Sequence, residues 1–161
     1  PISNMKLASG VARIPEMIKM GIPVGLAVDG SASNDASNLL EEIRIGYLLH
    51  RSNYSNKAPT GYDILKLATN GSAKLLGRDD IGSLEVGKAA DLFMIRTNRF
   101  ELVGGLDDPK SILGTIGIKR PVDYTIVNGE VVVKDGKLVK VDEDKLFYEA
   151  NDAVKVLLSK V

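Results

Sequence analysis

The pattern of apolar and polar positions differs between the two halves of the chain. In the first half, an apolar run over residues 22–28 ends at Asp29-Gly30 and is followed by a small polar loop, residues 31–38. A run without polar alternation is typical of a parallel strand with both faces covered. Apolar residues at helical spacing precede and follow the run. The order helix, strand, loop, helix therefore predicts an α/β unit.

The second half predicts short antiparallel strands joined by tight turns. Asn128-Gly129 and Asp135-Gly136 each separate two apolar segments. These dipeptides suit type I′ turns, in which both central residues need a positive φ. A meander of three strands is therefore predicted, and a last amphipathic helix begins at about Asp142. The predicted strands cover residues 90–95, 124–127, 130–133 and 137–141.

Local signals also predict where helices begin and end in the first half. Ser37 or Asn38 can cap the helix that follows the polar loop, because either side chain can accept a bond from a free backbone N–H. Thr60 with Asp63 three residues later resembles a capping box. The Asn-Gly pair at residues 70–71 is predicted to interrupt the helical stretch that follows.

Composition excludes several classes of function. The 161 residues include 21 Lys plus Arg and 21 Asp plus Glu, so the formal net charge is zero. Nucleic-acid binders and polybasic membrane binders need a basic surplus that is missing here. There is no cysteine and only one histidine, His50, which excludes thiolate sites and, within this chain, a metal site built mainly from imidazole. No apolar run approaches the about 18 residues of a membrane span. We therefore expect a cytoplasmic protein.

Asp29 is the leading candidate for chemistry. It directly follows the predicted buried strand and precedes a glycine and a Ser/Asn-rich loop. In α/β barrels the catalytic groups lie at the C-terminal ends of strands, where a carboxylate can bind a metal ion or take a proton from water. The other interpretation is that Asp29-Gly30 is simply a turn.

The loop after Asp29 supplies further polar groups. Ser31 and Asn34 are candidate contacts to a polar substrate, and Ser33 and Asn38 lie on the same loop. Such residues more often cap a helix and hold a loop. His50 lies near the end of a predicted helix, where a partly exposed histidine is expected rather than a ligand.

Several stretches together resemble the amidohydrolase superfamily of metal-dependent hydrolases and deaminases. Residues 3–10 look like the stretch after its seventh barrel strand, and residues 24–30 look like its eighth strand with the terminal aspartate. Residues 80–92 are similar to the entry into its C-terminal sandwich, and residues 127–132 to its closing hairpin.

Two other segments narrow this resemblance. Residues 31–40, together with residues 10–17, look like the branch that contains 8-oxoguanine deaminase and hydroxydechloroatrazine ethylaminohydrolase.

The resemblance implies an α/β fold class, with this chain as the C-terminal fragment of a (β/α)8 TIM barrel. The fragment would hold the last strand and flanking helices, part of a small β-sandwich and a C-terminal helix. The implied domains are residues 1–78 for the barrel, 79–141 for the sandwich strands and 142–161 for the helix.

The resemblance also implies a role for Asp29 as metal ligand and proton shuttle. The ion is expected to be zinc, although iron or manganese also suits such ligands. The family's other ligands are histidines on earlier strands, and no segment of this chain matches them. The ion is therefore expected to be absent from this chain on its own.

The implied parent enzyme deaminates a purine- or triazine-like ring by attack of metal-activated water. This chain alone is expected to be inactive, and its partners are the substrate and either the remainder of its own enzyme or further copies of itself. The alternative is a non-catalytic, free-standing assembly module derived from the same family. Neither a nucleic-acid nor a membrane partner is expected.

Overall fold

The computed structural model describes residues 1–160 as a mixture of helices and one small sheet. Short 3₁₀ turns at Ser55–Lys57, Phe100–Leu102 and Gly105–Asp107 connect the main elements. The helices are α1 (Ile2–Lys6), α2 (Ile14–Lys19), α3 (Leu39–Tyr54), α4 (Gly61–Lys66), α5 (Ser72–Leu75), α6 (Ile112–Thr115) and α7 (Glu143–Leu158). The strands are β1 (Leu92–Met94), β2 (Tyr124–Val127), β3 (Glu130–Lys134) and β4 (Lys137–Leu138).

The chain divides into two compact units. The helical unit comprises Pro1–Ala89 and Arg96–Lys119, and it contains α1 to α6. The sheet unit comprises Ala90–Ile95 and the chain from Arg120 onward, and it contains the four strands and α7.

The core of the helical unit lies where α3, α4 and α6 meet. Ile43 on α3 is 2% exposed and Ile64 on α4 is 1% exposed. The crossing of α4 and α6 depends on glycine, because a Cβ added at Gly114 would lie 2.7 Å from the Gly61 Cα. Two helix backbones can approach this closely only where side chains are missing.

The predicted helix starts are confirmed. The Asn38 side chain accepts a bond from the Leu40 N–H at 3.1 Å and caps α3. The Thr60 hydroxyl accepts from the Asp63 N–H at 3.2 Å, and the Asp63 carboxylate accepts from the Thr60 N–H at 3.0 Å. These reciprocal bonds form the capping box at the start of α4.

The predicted break at residues 70–71 is wrong. The helical backbone continues through it as a π-helix, Leu67–Gly71, which joins α4 to α5. Because Gly71 has no side chain, the Val24 carbonyl can lie against this π-helix. A Cβ added at Gly71 would collide with that carbonyl. Here packing against a distant segment outweighs the local turn preference of Asn-Gly.

The predicted strand over residues 22–28 is not formed in this structure. All strands assigned within residues 1–160 belong to one antiparallel sheet, and this segment is not among them. Its backbone bonds to the neighbouring helical turn instead: the Leu26 N–H donates to the Leu67 carbonyl at 3.2 Å, and the Ser72 hydroxyl donates to the Leu26 carbonyl at 3.1 Å. A strand needs a neighbouring strand for its ladder.

The predicted meander is confirmed in the sheet unit, although its last strand ends at Leu138 and not at residue 141 as predicted. The strand order is β1-β2-β3-β4, and every neighbouring pair is antiparallel. Asn128 and Gly129 have φ of 49° and 82°, and Asp135 and Gly136 have φ of 51° and 78°. Positive φ at both central positions is the type I′ geometry that the dipeptides predict.

The predicted last helix is confirmed as α7, and the Asp142 side chain caps it by accepting a bond from the Lys145 N–H at 3.0 Å. Its described residues are all exposed, including Phe147 and Leu157 at 63% and 64%. No helix within residues 1–160 is long and apolar enough to cross a membrane.

Candidate functional site

The candidate site is built around Asp29, at the end of the apolar segment. Its backbone adopts a φ of 67°, which turns the chain sharply into the polar loop. The left-handed region is uncommon for residues other than glycine, although aspartate is among those that tolerate it best. The Asp29 side chain is exposed, and its Oδ1 accepts a bond from the Gly30 N–H at 2.8 Å.

Hydrogen bonding keeps Asp29 ionised. The nearby Ser3 hydroxyl, followed by the Gly30 N–H, holds the pKa of Asp29 below its ordinary value. Donors that bond the charged form of a carboxyl group favour that form. Asp29 is therefore an exposed, ionised carboxylate at neutral pH, which is the state that binds a cation or accepts a proton.

The loop after Asp29 is a compact turn held by its own bonds. The Gly30 carbonyl accepts from the N–H groups of Ser33 and Asn34, both at 3.0 Å, and from the Ser33 hydroxyl at 3.1 Å. The Ser3 hydroxyl donates to the Ser33 hydroxyl at 2.8 Å, so α1 contacts this turn. Ser31 lies exposed on the same loop.

Asn34 occupies a different environment from Ser31. Its side chain is 1% exposed, and its Nδ2 donates to the Val28 carbonyl at 2.7 Å. The same Nδ2 donates to Oε1 of Glu42, a residue that is 0% exposed. Glu42 was missed by the sequence analysis because it occupies a helix position where glutamate is commonly exposed.

The expectation of a partly exposed His50 is wrong, because its side chain is 4% exposed. Its Nδ1 lies 2.7 Å from the Gly46 carbonyl, one turn earlier in α3, and its Nε2 lies 3.3 Å from the Ala12 carbonyl. The ring also stacks on Tyr54 with 5.9 Å between centroids. The segment before α2 packs over the end of α3, and this long-range contact buries the imidazole.

Within residues 1–160, no group of three or more His, Cys, Asp or Glu side chains is arranged to hold a metal ion. Asp29 fits a divalent cation as one ligand, because it is exposed and ionised. Carboxylate oxygen is a ligand type that zinc and harder divalent ions accept. Asp29 is therefore one candidate cation ligand at this turn.

The family follows from comparison with known proteins. Residues 1–132 match the amidohydrolase family. The chain belongs to this family. This match confirms the resemblance to the amidohydrolase family that is indicated by the short segments around Asp29 and in the second half of the chain.

Two curated relatives are similar over nearly the whole chain. Hydroxydechloroatrazine ethylaminohydrolase of Pseudomonas sp. (strain ADP) is 45% identical over 91% of this chain and 31% of its own length. The 8-oxoguanine deaminase of Pseudomonas aeruginosa is 41% identical over 99% of this chain and 35% of its own length. The chain thus spans about a third of the length of these relatives.

A solved structure shows the same local architecture. Atrazine chlorohydrolase TrzN from Arthrobacter aurescens TC1, complexed with zinc, superposes with a TM-score of 0.87 at 35% identity. The match covers 94% of this chain and 34% of that chain. The mixed helical and antiparallel-sheet structure described above is therefore part of a larger fold in that hydrolase.

Proposed function

We propose that this chain is the C-terminal portion of a metal-dependent amidohydrolase that removes an exocyclic amine from a purine- or triazine-like ring. The observation that carries the proposal is the exposed, ionised Asp29 at the turn after residues 22–28, in a chain of this family. The relatives described above act on a triazine and on a purine by their names.

The proposed architecture follows the order of the motifs along the chain. Residues 1–78 would belong to a (β/α)8 barrel and residues 79–141 would supply sandwich strands, followed by the C-terminal helix α7. The helix predicted over residues 142–161 includes residue 161, which lies outside the described residues. Residues 22–28 would be the barrel's last strand, paired with neighbouring strands of the full-length protein. The apolar run without polar alternation supports this placement.

Asp29 would hold the cation through a carboxylate oxygen and move one proton during hydrolysis. A bound divalent cation, zinc by analogy with the chlorohydrolase structure or else iron or manganese, lowers the pKa of a water molecule. The Asp29 carboxylate accepts the proton of the attacking water as the new C–O bond forms. It then returns that proton to the departing amine as the C–N bond breaks. Asp29 ends the cycle ionised, so the proton count balances.

Ser31 is proposed to contact the substrate, because it is exposed on the loop and has a hydroxyl that can donate to or accept from a polar ring. Asn34 is 1% exposed, so we propose that it serves the substrate side by holding the loop from beneath and not by touching the ring.

The test is substitution of Asp29 in the full-length protein that contains this chain. Asp29→Asn is expected to lower kcat for amine release by about a hundredfold or more, because the proton acceptor is lost. Asp35→Asn is the matched control, since Asp35 is an exposed carboxylate on the same loop, paired with Lys6 at 2.6 Å. Release of ammonia or alkylamine from purine and triazine amines is the measurement, together with metal content.

The outcome that contradicts the proposal is an Asp29→Asn protein with normal metal content and turnover.

An assembly module is the second candidate function, and the exposed apolar side chains of α7 favour it. A reading frame that runs upstream into a His-x-His segment supports the enzyme, whereas a start codon directly before Pro1 supports the module.

A further inference from the structure

Two buried polar side chains lie directly behind Asp29. Asn34 is 1% exposed and Glu42 is 0% exposed, and neither takes part in the proposed proton transfer. Burying an amide and a carboxyl group is unfavourable unless hydrogen bonds compensate for the lost water. The hydrogen bonds of Asn34 and Glu42 therefore have to account for the burial of both side chains.

The contacts determine how the Asn34 side chain is oriented. Its Nδ2 donates to the Val28 carbonyl at 2.7 Å and to Glu42 Oε1 at 2.5 Å. The Val28 carbonyl can only accept, so the opposite amide orientation would place Oδ1 against this oxygen. The Val28 carbonyl belongs to the peptide that leads into Asp29, so Asn34 holds the backbone at the point where it turns.

Glu42 extends the connection to α1. Its Oε2 accepts from the Ile2 N–H at 3.1 Å. Ser3, the next residue of α1, is 3% exposed, and its hydroxyl donates at 2.8 Å to the Ser33 hydroxyl on the loop after Asp29. The pair thus joins the backbone that leads into Asp29 to α1, which contacts the loop that follows Asp29.

We propose that Asn34 and Glu42 act as a positioning pair that holds the Asp29 carboxylate in place for the cation. This inference rests on the proposed function of Asp29. Aspartate at a φ of 67° is held in a sparsely populated backbone region, and such conformations persist where the surroundings enforce them. Partners behind a metal ligand commonly change metal affinity when they are removed.

The experiment measures Zn²⁺ affinity and kinetics in the full-length protein. Asn34→Ala is expected to weaken Zn²⁺ binding about ten- to hundredfold in chelator competition and to lower kcat more than it changes KM. Glu42→Gln keeps an oxygen that accepts from Asn34, but it places an amide NH₂, which is a donor, against the Ile2 N–H donor. A smaller loss of Zn²⁺ affinity than in Asn34→Ala is therefore expected. This milder variant keeps the test valid if Asn34→Ala fails to fold.

Asn38→Ala is the matched control. It removes the side-chain cap of α3 but keeps the Asn38 carbonyl that accepts from the Glu42 N–H, and it leaves the Glu42 and Asn34 side chains unchanged, so it lowers stability while Zn²⁺ affinity stays unchanged. In an Asp29→Asn background, Asn34→Ala is expected to cause no further loss of Zn²⁺ affinity, because the pair acts through the Asp29 carboxylate.

Two results overturn the inference. One is an Asn34→Ala protein with lower stability but unchanged Zn²⁺ affinity and kcat, and the other is an equal loss of affinity in both backgrounds. If Asp29→Asn itself leaves Zn²⁺ affinity and turnover unchanged, the proposed function fails as well. A large effect of Asp29→Asn with none from Asn34→Ala overturns only the positioning pair.

Discussion

The helical unit and the sheet unit differ in how they bury their residues. The helical unit has closely packed apolar side chains such as Ile43, Ile64 and Leu102, and it also buries Asn34 and Glu42. In the sheet unit no described residue is fully buried, from residue 90 to 95 or from 120 to 160.

This difference indicates which of the two units can hold a functional side chain in a fixed position. A ligand side chain needs neighbours whose own positions are enforced by packing and hydrogen bonds. Asp29 has such neighbours in the helical unit, whereas the sheet unit is organised by local turns. Three substitutions break or sharpen this comparison, in order of decreasing expected effect.

The largest effect is expected in the core of the helical unit. Ile64→Ala should lower the free energy of unfolding by about 2–5 kcal/mol, because it leaves a cavity where α3, α4 and α6 meet. Val133→Ala in β3, a half-buried position, should cost about 1 kcal/mol. Urea denaturation of both variants measures the difference. Equal losses would show that the two units contribute alike to stability.

The next effect concerns the π-helix beside the apolar segment. Gly71→Ala should cost about 1–3 kcal/mol, because the added Cβ collides with the Val24 carbonyl. Gly46→Ala is the matched control within α3, where the added Cβ would lie 3.4 Å from Ile64 Cγ2, an ordinary contact. Thermal denaturation distinguishes them, and a Gly71→Ala protein as stable as the control would contradict the close approach.

The smallest effect concerns the capping box of α4, and it depends on pH. Thr60→Ala should cost about 1 kcal/mol at neutral pH. Burial raises the pKa of Asp63, but bonds from Lys66 and Thr60 outweigh it and leave that pKa below its ordinary value. A depressed pKa in the folded state gives stability that is present above the ordinary pKa and is lost as pH falls through the lowered one.

The penalty of Thr60→Ala should therefore shrink in strong acid. Thr69→Ala is the control, since the Thr69 hydroxyl donates to the Leu65 carbonyl, which does not titrate in this range. Unfolding free energies at neutral and acidic pH make the comparison, and a penalty for Thr60→Ala that does not change with pH would rule out the contribution of Asp63.

The sequence predicted the features whose partners are close along the chain. Asn38 caps α3, Thr60 with Asp63 starts α4, and the type I′ turn at residues 135–136 joins β3 to β4. In each of these, the interacting groups lie within a few residues, so the local pattern contains the whole interaction.

What the sequence could not predict depends on distant segments. His50 is buried because the Ala12 carbonyl lies against it, and residues 70–71 remain helical because Val24 packs on the π-helix. The partner of Asn34 is on α3, and nothing in an isolated glutamate at position 42 indicates that it is buried.

By itself, then, the sequence determined the family, the candidate carboxylate Asp29 and the ends of several helices and turns. Only the tertiary structure decided which polar groups are removed from water and which of them lie behind Asp29. The physical reason is that a cap or a turn is satisfied by its neighbours in sequence. Burial and a hydrogen-bonded pair such as Asn34 and Glu42 instead exist only when separate segments of the chain pack together.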